Sequence, residues 1–356
     1  MNDETQHATP PASSAPTPPQ TQQQQGPTPE RIFQTLMGYQ QAAALKAAIE
    51  LDIFTAVAEG EDTAEKLAAR CQTAERGARI LCDYLTVWQF LEKEDGRYRL
   101  TPESKLFLDR RSPAYVGGIS GFISRPYMVE AHQNLVECVR RGGTVLEEQG
   151  SVTPENPIWE DFARSMVAMM HPSAEAIARV TGAAEMEECK VLDVAAGHGI
   201  FGITLARHNP RAEVYALDWH GVLQIARENA VGAGVVSRYH LMPGSAFELE
   251  FGDGYDLVLF TNFFHHFDPP TCESLMRKAH AALKDGGRAV TLEFVPNEDR
   301  VTPPGEAAFA MTMLASTPSG DAYTFPEYER MFRNAGFARS EIHPSPPQHI
   351  IVSSKQ

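Results

Sequence analysis

Residues 191–202, VLDVAAGHGIFG, restrict this chain to a small set of folds. Val191, Leu192, Val194 and Ala195 make a short apolar run that stops at Gly197 and Gly199, and Ile200-Phe201 then open a helical pattern. A buried strand that turns sharply on glycines into a helix is the opening unit of a doubly wound α/β sheet. Gly197-His198-Gly199-Ile200-Phe201-Gly202 also has the spacing G-x-G-x-x-G, with Asp218 about 20 residues further on. The glycines alone are therefore compatible with a dinucleotide site.

Asp193 changes that reading, because it lies inside the strand, four residues before the first glycine. A pyrophosphate needs only backbone amides and a helix N-terminus at this place, so dinucleotide strands keep the stretch apolar. A carboxylate suits a ligand with positive charge and no phosphate. S-adenosylmethionine, with its sulfonium, α-amino group and ribose diol, has that chemistry. Asp193 is expected to hold the ammonium directly or through water, while Gly197 and Gly199 let the backbone approach the ligand. Asp218 ends the next strand, beside Trp219, and a carboxylate there can accept both ribose hydroxyls. Gly244-Ser245-Ala246-Phe247 after the third strand would line the adenine, and Asn262 follows the fourth strand at the same edge. An NAD-dependent oxidoreductase is the alternative; Asp193 and a fingerprint past mid-chain stand against it.

The flanking pattern fits a class I methyltransferase sheet. Strand-like runs at 190–195, 213–218, 238–244, 255–260 and 287–294 alternate with helices such as Pro270–Leu283, which implies parallel strands with right-handed crossovers. After a helix over 325–335, runs at 338–343 and 349–354 lie too close for a helical crossover. They should form an antiparallel pair at the sheet edge, completing a Rossmann-like domain over 181–356.

Upstream the organisation differs. Residues 1–28 are rich in Pro, Gln, Thr and Ser and are expected to be a disordered tail. A helix over 30–51 carries Ile32, Phe33, Leu36 and Met37 with many alanines, a face able to pack against another subunit. Asp62-Thr63-Ala64-Glu65 reads as a capping box opening a helix to Arg70, and a second helix begins near Thr73. Two short strands then flank Asp95-Gly96, a hairpin turn. Together these make a mainly α winged-helix module over 29–110. Over 111–180 a helical connector and lid is expected. Its segment IWEDFARSMVAMMHP brings Trp159, Phe162, Met166 and Met170 together, and with Phe122, Tyr127, Met128, Phe309 and Met313 they would line an apolar acceptor pocket.

A winged helix raises the question of DNA. Arg76 and Arg79 are flanked by Glu75 and Asp83, and the whole chain carries 31 Lys+Arg against 46 Asp+Glu, a net charge of −15. Phosphate binding needs clustered cations, so neither nucleic acid nor an anionic membrane is an expected partner. The five cysteines are dispersed and never form C-x-x-C, which suggests a reduced, cytoplasmic protein without structural zinc. No apolar run approaches membrane-span length, and the N-terminus lacks the basic start and apolar core of a signal peptide.

In LDVAAGHG (192–199), Asp218, GSAF (244–247), NFFHHFDPPTC (262–272), LKDGG (283–287), LEFVPNEDR (292–300) and TFPEYERMFRNAGF (324–337), the chain resembles a known family. These are the S-adenosylmethionine-dependent O-methyltransferases with an N-terminal winged-helix dimerisation domain, including plant caffeate-type and bacterial antibiotic and pigment enzymes. The resemblance spans about residues 30–354. It implies a homodimer, a small-molecule acceptor, no metal, His265 as the base that deprotonates the acceptor hydroxyl, and Glu293 as the acid that orients it. A phenol of pKa about 10 becomes a far better nucleophile on losing its proton. An imidazole of pKa about 6.5 is free to take that proton at neutral pH. Three positions depart from the family: His266 stands where plant enzymes carry an acid, Ala322 beside Asp321 where a second supporting acid is expected, and Ser245 where many relatives have aspartate. Carbon or nitrogen methylation on the same scaffold, and less readily a ligand-sensing DNA-binding regulator, are the competing functions.

Overall fold

The structure is a computed structural model that describes residues 27–356, so the expected tail over 1–28 lies almost wholly outside the described residues. Helices Glu30–Leu36, Gly38–Glu50, Ile53–Ala58, Ala64–Arg70 and Glu75–Val87 lead into a hairpin of β1 (Leu91–Glu94) and β2 (Arg97–Leu100). Asp95 and Gly96 both take positive φ, 48° and 76°, the pair of left-handed residues that a two-residue hairpin turn requires. Ala78, Cys82 and Leu85 form a stripe at helical spacing, and it packs with Phe54, Leu67, Leu91 and Tyr98 into a separate small core.

One detail differs from the sequence reading. The cap of Ala64–Arg70 is Thr63, whose hydroxyl accepts from the Lys66 amide at 3.4 Å. Glu65 is then one position too early to reach back, and the Asp62 carboxylate is occupied by Lys66 and Arg97. The reciprocal box occurs instead at Thr324 and Glu327, where it starts the helix Phe325–Asn334.

Seven strands build the second unit: β3 (Cys189–Val194), β4 (Ala212–Asp218), β5 (Tyr239–Pro243), β6 (Tyr255–Thr261), β7 (Leu283–Glu293), β8 (Arg339–Ser345) and β9 (Gln348–Ser354). Their order is β5-β4-β3-β6-β7-β9-β8. The first five are parallel; β9 runs antiparallel between β7 and β8, as the short connection demands. Side chains alternate between two covered faces. Val191, Leu257 and Leu259 join one core with Ile177, Phe201 and Leu205, whereas Leu192, Val258 and Phe260 join another with Leu275, Met276 and Phe332. Covering both faces is why β6 reads as an unbroken apolar run.

Helices from Pro102 to Thr181 connect the two units. The expected single helix over 158–172 divides at Met166, giving Ile158–Ser165 and Val167–Thr181. The break brings Trp159 and Phe162 of one helix and Met170 of the next onto one cavity.

Candidate active site

Parallel α/β sheets place their sites beyond the carboxyl ends of the strands. Here a cavity of about 500 Å³ opens at the ends of β4 and β6, beside the glycine turn after β3, roofed by the connector and by helix Pro304–Ser316.

Its polar end is built on the glycine turn. Gly197 and Gly199 have φ of 57° and 75°, a region that favours glycine, and a Cβ at Gly199 would stand 2.5 Å from the Tyr239 hydroxyl, so that position requires it. Asp218 lines the cavity. Its Oδ2 accepts from the Gly197 amide at 2.8 Å and its Oδ1 from the Trp219 amide at 2.7 Å, which aims the carboxylate while leaving a second lone pair on each oxygen. Burial pushes its pKa up to about 6. Gly244, Ser245, Ala246 and Phe247 line the same end, with the Ser245 hydroxyl turned to the Phe247 amide. Lys278, a residue not anticipated from the sequence, donates to the carbonyls of Ala246, Phe247 and Leu249 at 2.8, 3.2 and 2.7 Å and holds this loop. Asn262 also lines the cavity in a left-handed conformation, φ 56°, and its side-chain oxygen accepts from Gln348 on β9.

Asp193 lies behind the turn and does not line the cavity. It is fully buried; Oδ2 accepts from the Gly202 amide at 3.2 Å, and Oδ1 has no partner. Burial raises its pKa from 3.8 to about 8. Between those values the unfolded chain has released the proton and the folded one retains it. The stabilisation is complete below about pH 4 and declines toward pH 8, by up to about 1.4 kcal/mol per pH unit. In urea unfolding of the unliganded protein from about pH 5 to 7, Asp193→Asn should gain stability relative to the unaltered protein as the pH rises, by up to about 1.4 kcal/mol per pH unit, a difference in which the other titrating groups cancel. Equal slopes in the two proteins would contradict the assignment.

The opposite end is reactive. His265 lies in a single helical turn, Phe264–His266, just after β6, and Glu293 ends β7. Both are buried. Glu293 accepts from the Phe263 and Phe264 amides at 3.0 and 2.9 Å with one oxygen and binds His265 Nδ1 with the other. The ring lines the cavity, and Nε2 has no protein partner among the described residues. Asp321 does not support the imidazole: its carboxylate pairs with Arg300 at 3.1 Å, though its amide donates to the His265 carbonyl at 3.0 Å. His266 also lines the cavity, stacked on His265 with centroids 4.3 Å apart.

The remaining wall is apolar. Phe122, Met128, Trp159, Phe162, Met166, Met170, Phe309 and Met313 all line it, as expected. Tyr127 does not: Met128 and His132, one helical turn apart, face the cavity from that helix, while the Tyr127 hydroxyl is buried elsewhere without a partner. Phe294, stacked on Phe309 at 4.0 Å, and Met169 complete the wall. Among the described residues no group of three His, Cys, Asp or Glu side chains could hold a metal ion.

The sheet order, with β9 antiparallel between β7 and β8, is that of a class I methyltransferase. Comparison with known proteins agrees. Residues 191–287 match the methyltransferase domain family, and residues 33–110 match the O-methyltransferase dimerisation domain. A crystal structure of a protein assigned as an O-methyltransferase, from Nostoc punctiforme PCC 73102, is 49% identical, with a TM-score of 0.90 over 92% of this chain and 100% of that one. The 3-hydroxy-5-methyl-1-naphthoate 3-O-methyltransferase of Streptomyces sahachiroi is 28% identical over 311 residues, 86% of this chain and 89% of the relative. The S-adenosyl-L-methionine-dependent methyl transferase PigF of Serratia sp. is 25% identical over 338 residues, 92% and 96% of the two chains. The chain belongs to the S-adenosylmethionine-dependent O-methyltransferases that carry an N-terminal dimerisation domain.

Proposed function

We propose that this enzyme methylates the hydroxyl of a small, planar, largely apolar acceptor, with His265 Nε2 as the general base and Glu293 as the residue that positions it. The observation that carries the reading is the buried Glu293–His265 pair facing the same cavity as Asp218 and the glycine turn. S-adenosylmethionine would supply an electrophilic methyl group on a positively charged sulfur. Asp218 would accept the ribose hydroxyls, the loop 244–247 would flank the adenine, Gly197, Trp219 and Asn262 would border the ligand, and Gly199 would keep the turn tight behind them.

The chain's own groups then have defined tasks. Glu293, held by two backbone amides, accepts from Nδ1–H and so fixes the tautomer in which Nε2 carries the lone pair. Nε2 would take the hydroxyl proton, leaving the acceptor oxygen as the nucleophile toward the methyl group that S-adenosylmethionine would supply, with S-adenosylhomocysteine as the leaving group. The apolar lining, with Phe294 stacked on Phe309 and with Met128, Met166, Met170 and Met313, would hold the oxygen in line and exclude water.

The unit over 29–110 acts in dimerisation, 111–180 as connector and lid, and 181–356 as the cofactor domain. Support for a homodimer comes from the first helix, where Ile32, Phe33 and Leu36 remain 62–67% exposed in the single chain. No helix among the described residues is long and apolar enough to cross a membrane. Incubation with S-adenosylmethionine and a naphthol tests the reading. A methyl ether and S-adenosylhomocysteine in equal amounts are expected; methylation at carbon would overturn it.

A further inference from the structure

His266 is a polar group the proposed reaction leaves without a task. The residue is more than nine-tenths buried, yet its ring borders the acceptor end of the cavity. Its Nδ1 is buried without a partner and its Nε2 makes no hydrogen bond to the protein among the described residues. The ring cannot turn freely, because it is stacked on His265 at 4.3 Å and met edge-on by Trp159 at 5.1 Å. Two stacked imidazoles, tilted 28° to each other, therefore stand side by side at one end of an apolar slot. One of them is committed to the oxygen that receives the methyl group.

We infer that His266 selects acceptors with a second hydroxyl, and no carboxylate, on the ring carbon next to the one methylated. With the reacting hydroxyl at His265, a hydroxyl on the neighbouring ring carbon would fall toward the second imidazole, stacked 4.3 Å away. Burial and the adjacent His265 hold the His266 ring in its neutral form. A neutral imidazole edge is either a donor or an acceptor, and a hydroxyl can answer both. An acceptor with only carbon at that place would cover Nε2 and leave it dry, and a site built to pair a hydroxyl rejects the analogue that lacks it.

The same lining excludes a carboxylate beside the reacting oxygen. Among the described residues no lysine or arginine borders the cavity, and the one carboxylate lining it, Asp218, lies at the cofactor end. His132 is exposed at the rim, with Nδ1 tied to the Met128 carbonyl at 2.8 Å. A carboxylate held beside the reacting oxygen would keep its charge throughout the reaction and would be buried without a counter-charge from the lining. The selectivity thus differs from that named for the Streptomyces sahachiroi relative, which acts on a naphthoate.

This inference rests on the proposed O-methyl transfer, so its test reads binding separately from turnover. The full-length protein saturated with S-adenosylhomocysteine is titrated with a vicinal dihydroxynaphthalene, the matching mononaphthol and the matching hydroxynaphthoate. The diol is expected to bind about 10-fold or more tighter than the naphthol, with the naphthoate weakest. His266→Phe should erase the preference for the diol, and His266→Asn, which keeps a donor and an acceptor, should retain part of it. Equal affinities in the unaltered protein, full preference in His266→Phe, or a naphthoate bound as tightly as the diol would each overturn the inference. A preserved preference with no methyl ether from any naphthol would overturn the reaction and leave the recognition standing.

Discussion

His265→Ala should lower kcat for a phenolic acceptor by about 10²–10⁴-fold, the range that a positioned general base supplies. Affinity for S-adenosylhomocysteine should change little, because His265 stands at the acceptor end of the cavity and Asp218 at the other. The loss is large because no nearby group can substitute. The His266 ring is pressed below the imidazole range, so it is a poorer base. Asp321 is paired with Arg300. Steady-state kinetics with titration calorimetry separate the two quantities. A variant that keeps most of its turnover would remove His265 from the chemistry, and one that also loses the cofactor would point to a folding defect.

Asp218→Asn should weaken S-adenosylmethionine and S-adenosylhomocysteine by about 10²–10⁴-fold, from two charge-assisted hydrogen bonds at roughly 1.5–3 kcal/mol each. The geometry makes the substitution severe. Both carboxylate oxygens already accept from backbone amides, Gly197 and Trp219. An asparagine must turn its NH2 toward one of those donors, which disturbs the turn as well as the ribose contact. Calorimetry measures the affinity, and thermal unfolding without ligand checks that the sheet is intact. Unchanged affinity would mean that the ribose is held elsewhere.

Much of this was legible in the residues, and the exceptions have physical causes. Strand and helix alternation after Lys190, the Asp95-Gly96 turn and the closing antiparallel pair follow from periodicity and loop length, which are local. The start of β7 at Leu283, four residues before the predicted run, is invisible locally because LKDG carries no strand pattern and is drawn in by pairing with β6. Asp193 was recognised as unusual, but its distance from the cavity depends on the packing of Gly202 and Tyr239 around it. Tyr127 and Met128 are equally apolar in sequence, and only the helix's rotation decides which faces inward. Lys278 and Gln348 act across 29 or more residues of chain, on loops they approach only in the folded protein. No motif announces them.

The central claim is that His265 removes the acceptor proton, and an acidity series of naphthols tests it most directly. Turnover by the unaltered enzyme and by His265→Ala is compared as the acceptor pKa falls below the working pH. The account predicts that the variant's deficit is greatest for ordinary naphthols and closes for acceptors that arrive already ionised. A deficit that stays the same across the series would contradict it and reassign His265 to positioning alone.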